Sequence, residues 1–283
     1  MKITKNIAMI MAVFICLSSC VIEVLHDTDH PDHGRVNLVT DWSNRGEDID
    51  IPANYTVMIG DEYTTTLSGA SNAVDYLFPV GAYHVNIYNS ASKIIVSGAT
   101  ATADYSAFPI GGWRIGWFFT GVQDGRIEQD KDHTITVQMQ QQIRQLNLTL
   151  ELTGDAKERI IDVQAVLSGI AASIDVNTGN SVGDAVNVIP VFTKQTNGNY
   201  TAPVRLLGTL GNTQTLTVTL FFASGHPSTL TIVSDLSGPL AAFNANKKTP
   251  LTLSSVVLVT PTAGGFTATI EDWTNSNGYV IVD

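Results

Sequence analysis

The chain has 283 residues and a formal net charge of −11, and charged residues make up only 14% of it. A protein this acidic has no electrostatic affinity for a phosphate backbone, so nucleic-acid partners are excluded. The length suits two ordinary domains or one large one. Thr, Asn, Ser, Val and Gly are plentiful, which is typical of exposed β-sheet, where β-branched side chains pack on pleated surfaces.

The first nineteen residues have the pattern of a secretory signal. Two lysines precede an apolar stretch, residues 7–17, that is too short to span a bilayer permanently. The stretch ends in Leu17-Ser18-Ser19-Cys20, which resembles the lipobox of bacterial lipoproteins, where the cysteine is acylated and becomes the new N-terminus. We therefore predict a signal peptide over 1–19 and lipidation of Cys20. Each buried methylene contributes roughly 0.8 kcal/mol, so two or three acyl chains anchor a protein almost irreversibly.

The segment that follows Cys20 is polar and acidic, and it contains three histidines between residues 26 and 33. Its composition predicts a lipidated, solvated tether over residues 20–34. The alternative is a divalent-cation site, but Pro31 and Leu38 stand where a calcium loop needs an oxygen ligand and a glutamate. The only other cysteine, Cys16, lies in the signal peptide, which leaves the mature chain no thiol for metal binding or catalysis. We expect no metal site and no cofactor.

Alternation of apolar and polar residues with a period of two runs through most of the chain. It is clear at Val36–Trp42 and begins again at Leu146, after the glutamine-rich stretch Gln138–Gln145. Such runs, broken by Gly, Asn, Asp and Pro, predict an all-β protein built as antiparallel sandwiches. The glutamine run predicts a boundary between an N-terminal sandwich over 35–142 and a C-terminal sandwich over 143–283.

One stretch, residues 155–174, has a pattern that suits either a helix or a strand. Gly169 interrupts the helical interpretation, so a strand leading into a short helical turn is favoured.

Two features indicate chemistry, and each has a simpler structural interpretation. Ser181 lies in a Gly-Asn-Ser-Val-Gly sequence that matches the nucleophile elbow of hydrolases, but a polar turn precedes it and a strand follows it. The motif needs a strand before the serine and a helix after it, so a secreted hydrolase is the weakest hypothesis and no enzyme is expected. Trp113 and Trp117 could stack on sugar rings, although packing in a core is the favoured interpretation.

Three segments resemble one known family. Leu77–Tyr88 contains a Pro-x-Gly-x-Tyr turn into a strand, which resembles transthyretin-like sandwich modules. Ile160–Gly179 and Phe266–Trp273 are similar to segments of the fimbrillin-related anchor and accessory lipoproteins of Bacteroidetes. The resemblance implies two tandem transthyretin-like β-sandwiches. It also implies a non-catalytic fimbrial anchor or accessory subunit, held by lipid at the cell outer membrane and exposed at the cell surface.

The resemblance further implies that the partners are fimbrial subunits joined by β-strand addition, which needs an unpaired sheet edge. Val36–Trp42 and the tail Tyr279–Val282 are the segments predicted to take part. Arg35 offers a trypsin-like processing site, but cleavage there would release a lipid-held anchor, so we expect that bond to stay intact. The alternative function is a glycan-binding surface lipoprotein that uses the Trp113 and Trp117 region.

Overall fold

The computed structural model of the chain describes residues 25–106 and 115–275. Cys20, Trp113 and the tail Tyr279–Val282, on which predictions were made, lie outside the described residues. Strands β1 to β9 are Gly34–Asn44, Tyr55–Ile59, Tyr63–Leu67, Ser71–Phe78, Gly81–Tyr88, Ile94–Ser97, Thr100–Ala103, Phe119–Ile127 and Lys131–Gln141. Strands β10 to β19 are Arg144–Leu152, Ile160–Asp175, Ser181–Val188, Thr193–Lys194, Tyr200–Leu206, Thr215–Phe222, Thr229–Asp235, Leu251–Thr262, Gly265–Ile270 and Thr274–Asn275. The short helices are α1 (Ala156–Arg159), α2 (Ser237–Leu240) and a 3-10 turn, Phe243–Ala245.

The first half of the chain forms a seven-stranded sheet in the order β3-β2-β5-β8-β9-β1-β4. Strands β8 and β9 pair only at Phe119–Gln141 and Thr120–Gln140. The two outer strands approach each other, with the ring of Tyr63 on β3 lying 5.7 Å from that of Phe78 on β4. The sheet therefore folds into two layers over a single core, to which the alternating apolar residues of β1 contribute one face.

The second half is a sandwich of two sheets. One has the order β13-β14-β10-β17-β18, and the other has the order β16-β15-β11-β7-β6, with β12 also paired to β11. Every second residue of β10, from Leu146 to Leu152, is buried against β11 and β15. The all-β prediction is confirmed, and the two alternating segments on which it rested occupy the cores as expected.

The hairpin β6–β7 comes from the first half but extends a sheet of the second half, because β7 pairs with the end of β11 at Thr102–Ser173 and Ile174–Ala101. A third buried cluster lies at this meeting point. We call it the junction cluster, and it comprises Ala101, Ala103, Ile115, Phe118, Ile143, Ile174, Val176 and Leu207. The division into domains at 142/143 stays a prediction, since strands from both sides of it share one sheet.

The stretch 155–175 differs from its prediction in order. Helix α1 comes first, and the long strand β11 follows it. Gly169 does not end a helix; it lies within β11 with φ +73°, where the pairing with β12 shifts register between Leu167 and Ile170. A residue with a side chain would be strained at this bulge, so the glycine keeps a sixteen-residue strand continuous through a bend.

The first strands of the two halves occupy equivalent places. Strand β1 lies between antiparallel β4 and parallel β9, and β10 lies between antiparallel β14 and parallel β17. The halves open with loosely similar sequences, Arg35-Val36-Asn37-Leu38 and Arg144-Gln145-Leu146-Asn147-Leu148. These lead into strands with the same kinds of neighbour, and both strands are interior to their sheets.

Candidate functional site

The N-terminal segment, residues 25–33, is the part of the described chain nearest to Cys20, and it is docked on the turn between β8 and β9. Asp130, in that turn, accepts hydrogen bonds from the backbone N–H groups of Asp27 (2.6 Å) and Thr28 (2.8 Å) and from the Thr28 hydroxyl (2.7 Å). The Thr28 hydroxyl bond, followed by the two backbone bonds, lowers the pKa of Asp130. One carboxylate therefore fixes the start of the segment.

His30 is the buried centre of the same segment. Only 4% of the residue is exposed, and its Nε2 lies 3.0 Å from a carboxylate oxygen of Asp132. Its Nδ1 lies 2.9 Å from the Thr28 hydroxyl and 3.1 Å from the carbonyl oxygen of His33. Burial lowers the pKa of His30, but the Asp132 hydrogen bond and the backbone bonds outweigh it and leave the pKa raised. Residues 25–33, part of the segment predicted as a tether over 20–34, are thus docked on the folded body through Thr28 and His30, while Asp27, Asp29 and Asp32 are exposed.

Strand β1, which starts directly after this segment, is not an open edge. Arg35 is opposite Leu77 of β4 on one side and Asp132 of β9 on the other. The interpretation of Val36–Trp42 as an unpaired edge is therefore wrong, since its polar backbone groups pair with two neighbours. The same pairing places the bond after Arg35 in an interior strand of the sheet, and that this bond stays uncut remains a prediction.

The glutamine run lies where the two halves of the chain meet, and its side chains hold the halves together. The Oε1 of Gln141 accepts from the backbone N–H of Gly46 (2.8 Å), and its Nε2 donates to the carbonyls of Ile143 (2.7 Å) and Lys247 (2.6 Å). Residues 141–144 are all buried. The stretch flagged as a boundary from its composition is thus a buried connection. The signal available in the sequence is the phase of the alternation, because Gln141 continues the buried series Ile135, Val137 and Met139.

The two features that were weighed as chemical sites, at Ser181 and Trp117, lack the geometry for that chemistry. One face of the Trp117 ring is covered by the Arg205 guanidinium at 4.1 Å, and the ring packs against the junction cluster, as the packing interpretation expected. The Ser181 hydroxyl donates to the carbonyl of Thr209 (3.4 Å) and lies at the start of β12 rather than on a strand-to-helix turn. Ser181 therefore does not lie in the strand-turn-helix arrangement that a nucleophile elbow requires.

The described residues hold neither a metal-binding cluster nor a membrane-spanning helix. No group of three or more His, Cys, Asp or Glu side chains is arranged to hold a metal ion over 25–106 and 115–275. Across the same ranges, no helix has the length and hydropathy needed to cross a membrane.

Asp130 and Asp132 are the functional residues that sequence analysis missed. They lie about a hundred positions after the segment they hold, and nothing in their local pattern indicates that partner. Only an Asp-Lys-Asp turn between two alternating runs marks the place.

Comparison with known proteins gives one family. The model of the family described as fimbrillin-A associated anchor proteins Mfa1 and Mfa2 matches residues 115–277, more than half of the chain. No curated protein matches the sequence.

Several solved structures share the fold. The fimbrial anchor protein Mfa2 from Porphyromonas gingivalis superposes with a TM-score of 0.58 at 11% identity, over 86% of this chain and 97% of that one. A candidate adhesin from Bacteroides ovatus gives 0.56 at 13% identity, over 78% and 88%. A candidate polysaccharide-binding protein from Bacteroides thetaiotaomicron gives 0.52 at 11% identity, over 84% and 96%. At these identities the likeness establishes the fold alone.

Proposed function

Since the chain belongs to the family of fimbrillin-A associated anchor proteins, we propose that it is a lipid-anchored subunit that holds a fimbria at the outer surface of the outer membrane. In this proposal the acyl chains on Cys20 sit in the membrane, and the two halves stand in water above it. The partners are fimbrial subunits. The role is structural, without catalysis and without a cofactor.

The observation that carries this proposal is the way the chain after Cys20 joins the folded body. The N-terminal segment is bonded to Asp130 and Asp132, and β1 continues from it between two partner strands. A force applied to the lipid would therefore be transmitted along the chain into β1, an interior strand of its sheet. Such an arrangement suits a subunit that keeps its tether and bears load.

The finer part of the proposal is that the partner joins by strand addition at β16. This strand is the outer member of its sheet, it has seven residues, and it carries no charge before its last residue, Asp235. Val233 is 64% exposed. An edge this long and uncharged is a ready template for another strand, and many proteins protect such edges with lysine or proline.

The pairing of β15 with β16 shows which backbone groups face the partner. The N–H of Phe222 donates to the carbonyl of Ser228, and hydrogen-bonded pairs alternate along an antiparallel ladder. The N–H groups of Thr231 and Val233 therefore point away from β15. Replacing both residues with proline removes two outward donors without breaking the ladder, which edge strands tolerate. We expect the double variant to fold and to lose fibre attachment, whereas normal attachment would refute addition at β16.

The anchor itself is tested with Cys20→Ala in a strain that lacks the native copy. We expect the variant to leave the outer-membrane fraction, to take up no labelled palmitate, and to release fibres into the medium. A Cys16→Ala variant is the matched control, because that cysteine precedes the cleavage point, and it should behave as the native protein. Palmitate labelling and membrane retention of Cys20→Ala would contradict the proposal.

The glycan-binding alternative gains no support at Trp117, because the Arg205 guanidinium covers one face of the ring and the ring packs against the junction cluster. The two functions predict different deletion phenotypes. Loss of the anchor alters or releases fibres and leaves growth on polysaccharides unchanged. Normal fibres with lost growth on one polysaccharide would favour the alternative.

A further inference from the structure

A cleft of about 640 Å³ opens where the two halves meet. One wall is the loop after β1, with Ser43 and Arg45, and the other is the loop before β17, with Lys247 and Lys248. Gln141 lies at the floor and bonds to both walls through Gly46 and Lys247. Because the buried Gln141 side chain is hydrogen-bonded to both walls, the fold fixes the shape of the cleft.

The cleft concentrates positive charge in an acidic protein. Arg45, Arg205, Lys247 and Lys248 line it, against Glu47 and Asp48, in a chain whose net charge is −11. Four of the chain's fifteen lysines and arginines therefore face one cavity.

Three of these cations have only neutral partners within the described chain. Arg45 donates to the carbonyl of Ile49 (2.7 Å), Lys247 to the side-chain oxygen of Gln142 (3.0 Å) and Lys248 to the carbonyl of Ser43 (2.9 Å). The ion pairs found among residues 25–106 and 115–275 involve none of the three. Burial without a counter-charge lowers the pKa of Lys247 to about 8. An anion in the cleft would offset that desolvation.

We infer that the junction cleft is a binding site for a carboxylate-bearing peptide segment of the protein that this anchor holds. The identity of the partner as a fimbrial subunit rests on the proposed function, whereas the carboxylate chemistry rests on the cleft alone. Charge-assisted hydrogen bonds from an ammonium to a carboxylate are about twice as strong as those to a neutral oxygen. Lys247 and Lys248 exchange neutral acceptors for carboxylates when the segment enters.

A peptide fits the cleft better than an acidic sugar. Stacking on an aromatic ring favours sugar binding, and the Trp117 ring in this cleft has the Arg205 guanidinium over it at 4.1 Å. The lining also offers amide and hydroxyl groups, from Gln145, Ser43 and Thr249, beside the apolar Ile49 and Pro250, a mixture that suits the main chain and side chains of an extended segment. The volume falls within the range of roughly 300–1,000 Å³ that is common for ligand sites.

The test is fluorescence anisotropy with the full mature chain and a labelled peptide of alternating aspartate and serine, near physiological ionic strength so that general attraction is screened. The comparison probes are the same peptide with asparagine for aspartate, and a labelled oligogalacturonate. We expect the aspartate peptide to bind roughly tenfold or more tightly than either. Binding should also weaken as the pH rises past about 8 and Lys247 loses its proton.

The variant Lys247→Met with Lys248→Met removes two cleft charges and keeps the aliphatic stems, and it should weaken binding roughly tenfold or more. The matched control is Arg126→Met with Lys157→Met, which removes the same charge from exposed positions outside the cleft and should bind as the native chain. Replacement of both cleft lysines by arginine should restore binding, which separates lost charge from lost fold.

Three results would overturn the inference: equal binding of the aspartate and asparagine peptides, tighter binding of oligogalacturonate, or equal loss in the control variant. The proposed function fails separately. All these variants keep Cys20, so release of the native chain from the membrane would refute the anchor and leave the cleft measurement standing.

Discussion

The molecule has two structural joints: the docking of the N-terminal segment on the β8–β9 turn, and the contact between the two halves. Different kinds of side chain form them. The N-terminal segment is held to the β8–β9 turn by ionisable groups, Asp130, Asp132 and His30. The two halves are held by the uncharged amides of Gln141 and Gln142 and by the apolar junction cluster, all of them buried. The docking of the N-terminal segment should therefore respond to local substitution and to pH over the range in which His30 and Asp130 titrate, whereas the contact between the halves should respond mainly to substitutions that lower the stability of the whole fold.

The largest expected effect is at the apolar part of the second joint. Ile143 is fully buried in the junction cluster, so Ile143→Ala leaves a cavity and should lower the free energy of unfolding by about 3 kcal/mol. Urea unfolding followed by tryptophan fluorescence measures it. Ile189, 60% exposed, is the control, and Ile189→Ala should cost less than about 0.5 kcal/mol. Equal costs would mean that the junction cluster does not stabilise the fold.

The next effect is at the amide part of the same joint. Gln141→Ala leaves the Gly46 N–H without its acceptor and removes the donor to two carbonyls. The loss of these buried hydrogen bonds should lower the free energy of unfolding by about 2 kcal/mol. Gln138 is an exposed glutamine of the same run, and Gln138→Ala should change it by less than about 0.5 kcal/mol. If the two variants unfold alike, the buried amides are not what joins the halves.

The buried joint should also resist proteases. Arg144 is 7% exposed, and its guanidinium donates to the carbonyls of Thr249 (2.8 Å) and Phe243 (2.7 Å). Trypsin under native conditions should therefore give no half-size fragments, although the glutamine run has the composition of an accessible linker. Mass spectrometry of the digest checks this, and early cleavage after Arg144 would show that the joint opens.

The first joint should yield to a local change without loss of the fold. Asp130 has φ +56°, a conformation that glycine adopts freely, so Asp130→Gly removes the carboxylate without backbone strain. We expect hydrogen exchange at the amides of Asp27 and Thr28 to rise several-fold, with the unfolding midpoint nearly unchanged. Asp32→Asn, at an exposed acid of the same segment, is the control and should leave that exchange as it is. Unchanged exchange in Asp130→Gly would refute the docking.

The smallest effect is the pH dependence of this docking. The pKa of His30 is raised above 6.5, so its contribution is complete below pH 6.5 and disappears as the pH rises through the raised value. The pKa of Asp130 is lowered below 3.8, so its contribution is present above pH 3.8 and disappears as the pH falls through the lowered value. Protection of the Thr28 amide should therefore be greatest between these limits. In His30→Gln, protection of the Thr28 amide should no longer fall as the pH rises. An unchanged pH profile in that variant would contradict the role of His30.

Sequence analysis predicted the parts of the fold that follow from a regular pattern. Val36–Trp42 and Leu146–Leu152 alternate strictly and form one face of a core each. The hairpin β6–β7 was not predicted to join the second half, because Thr100–Ala103 is short and its pairing with β11 is decided by a partner seventy residues later. At residues 155–174 the apolar residues fit both the period of a helix and the period of a strand. Most of the stretch forms a strand because β11 pairs along its first half with β15.

The sites were harder to predict than the fold, because they depend on distant partners. Glutamines and acidic residues usually face water, and only the phase of the alternation in β9 distinguishes Gln141, which follows the buried Met139 by two positions, from Gln138. Gln141 is buried because the loops at Gly46 and Lys247 bring polar backbone groups to it. His30 is buried for the same reason, since Asp132 reaches it from a turn about a hundred residues away.

The central claim is that the mature protein keeps its lipid tether through an uncut N-terminal segment. Intact-mass and N-terminal peptide mass spectrometry of the protein taken from outer membranes tests it most directly. We predict an N-terminus at an acylated Cys20 and, after digestion with a protease that does not cut after arginine, a peptide that spans an uncut bond after Arg35. A membrane-associated protein that begins at Val36, or at an unmodified Cys20, would contradict the account.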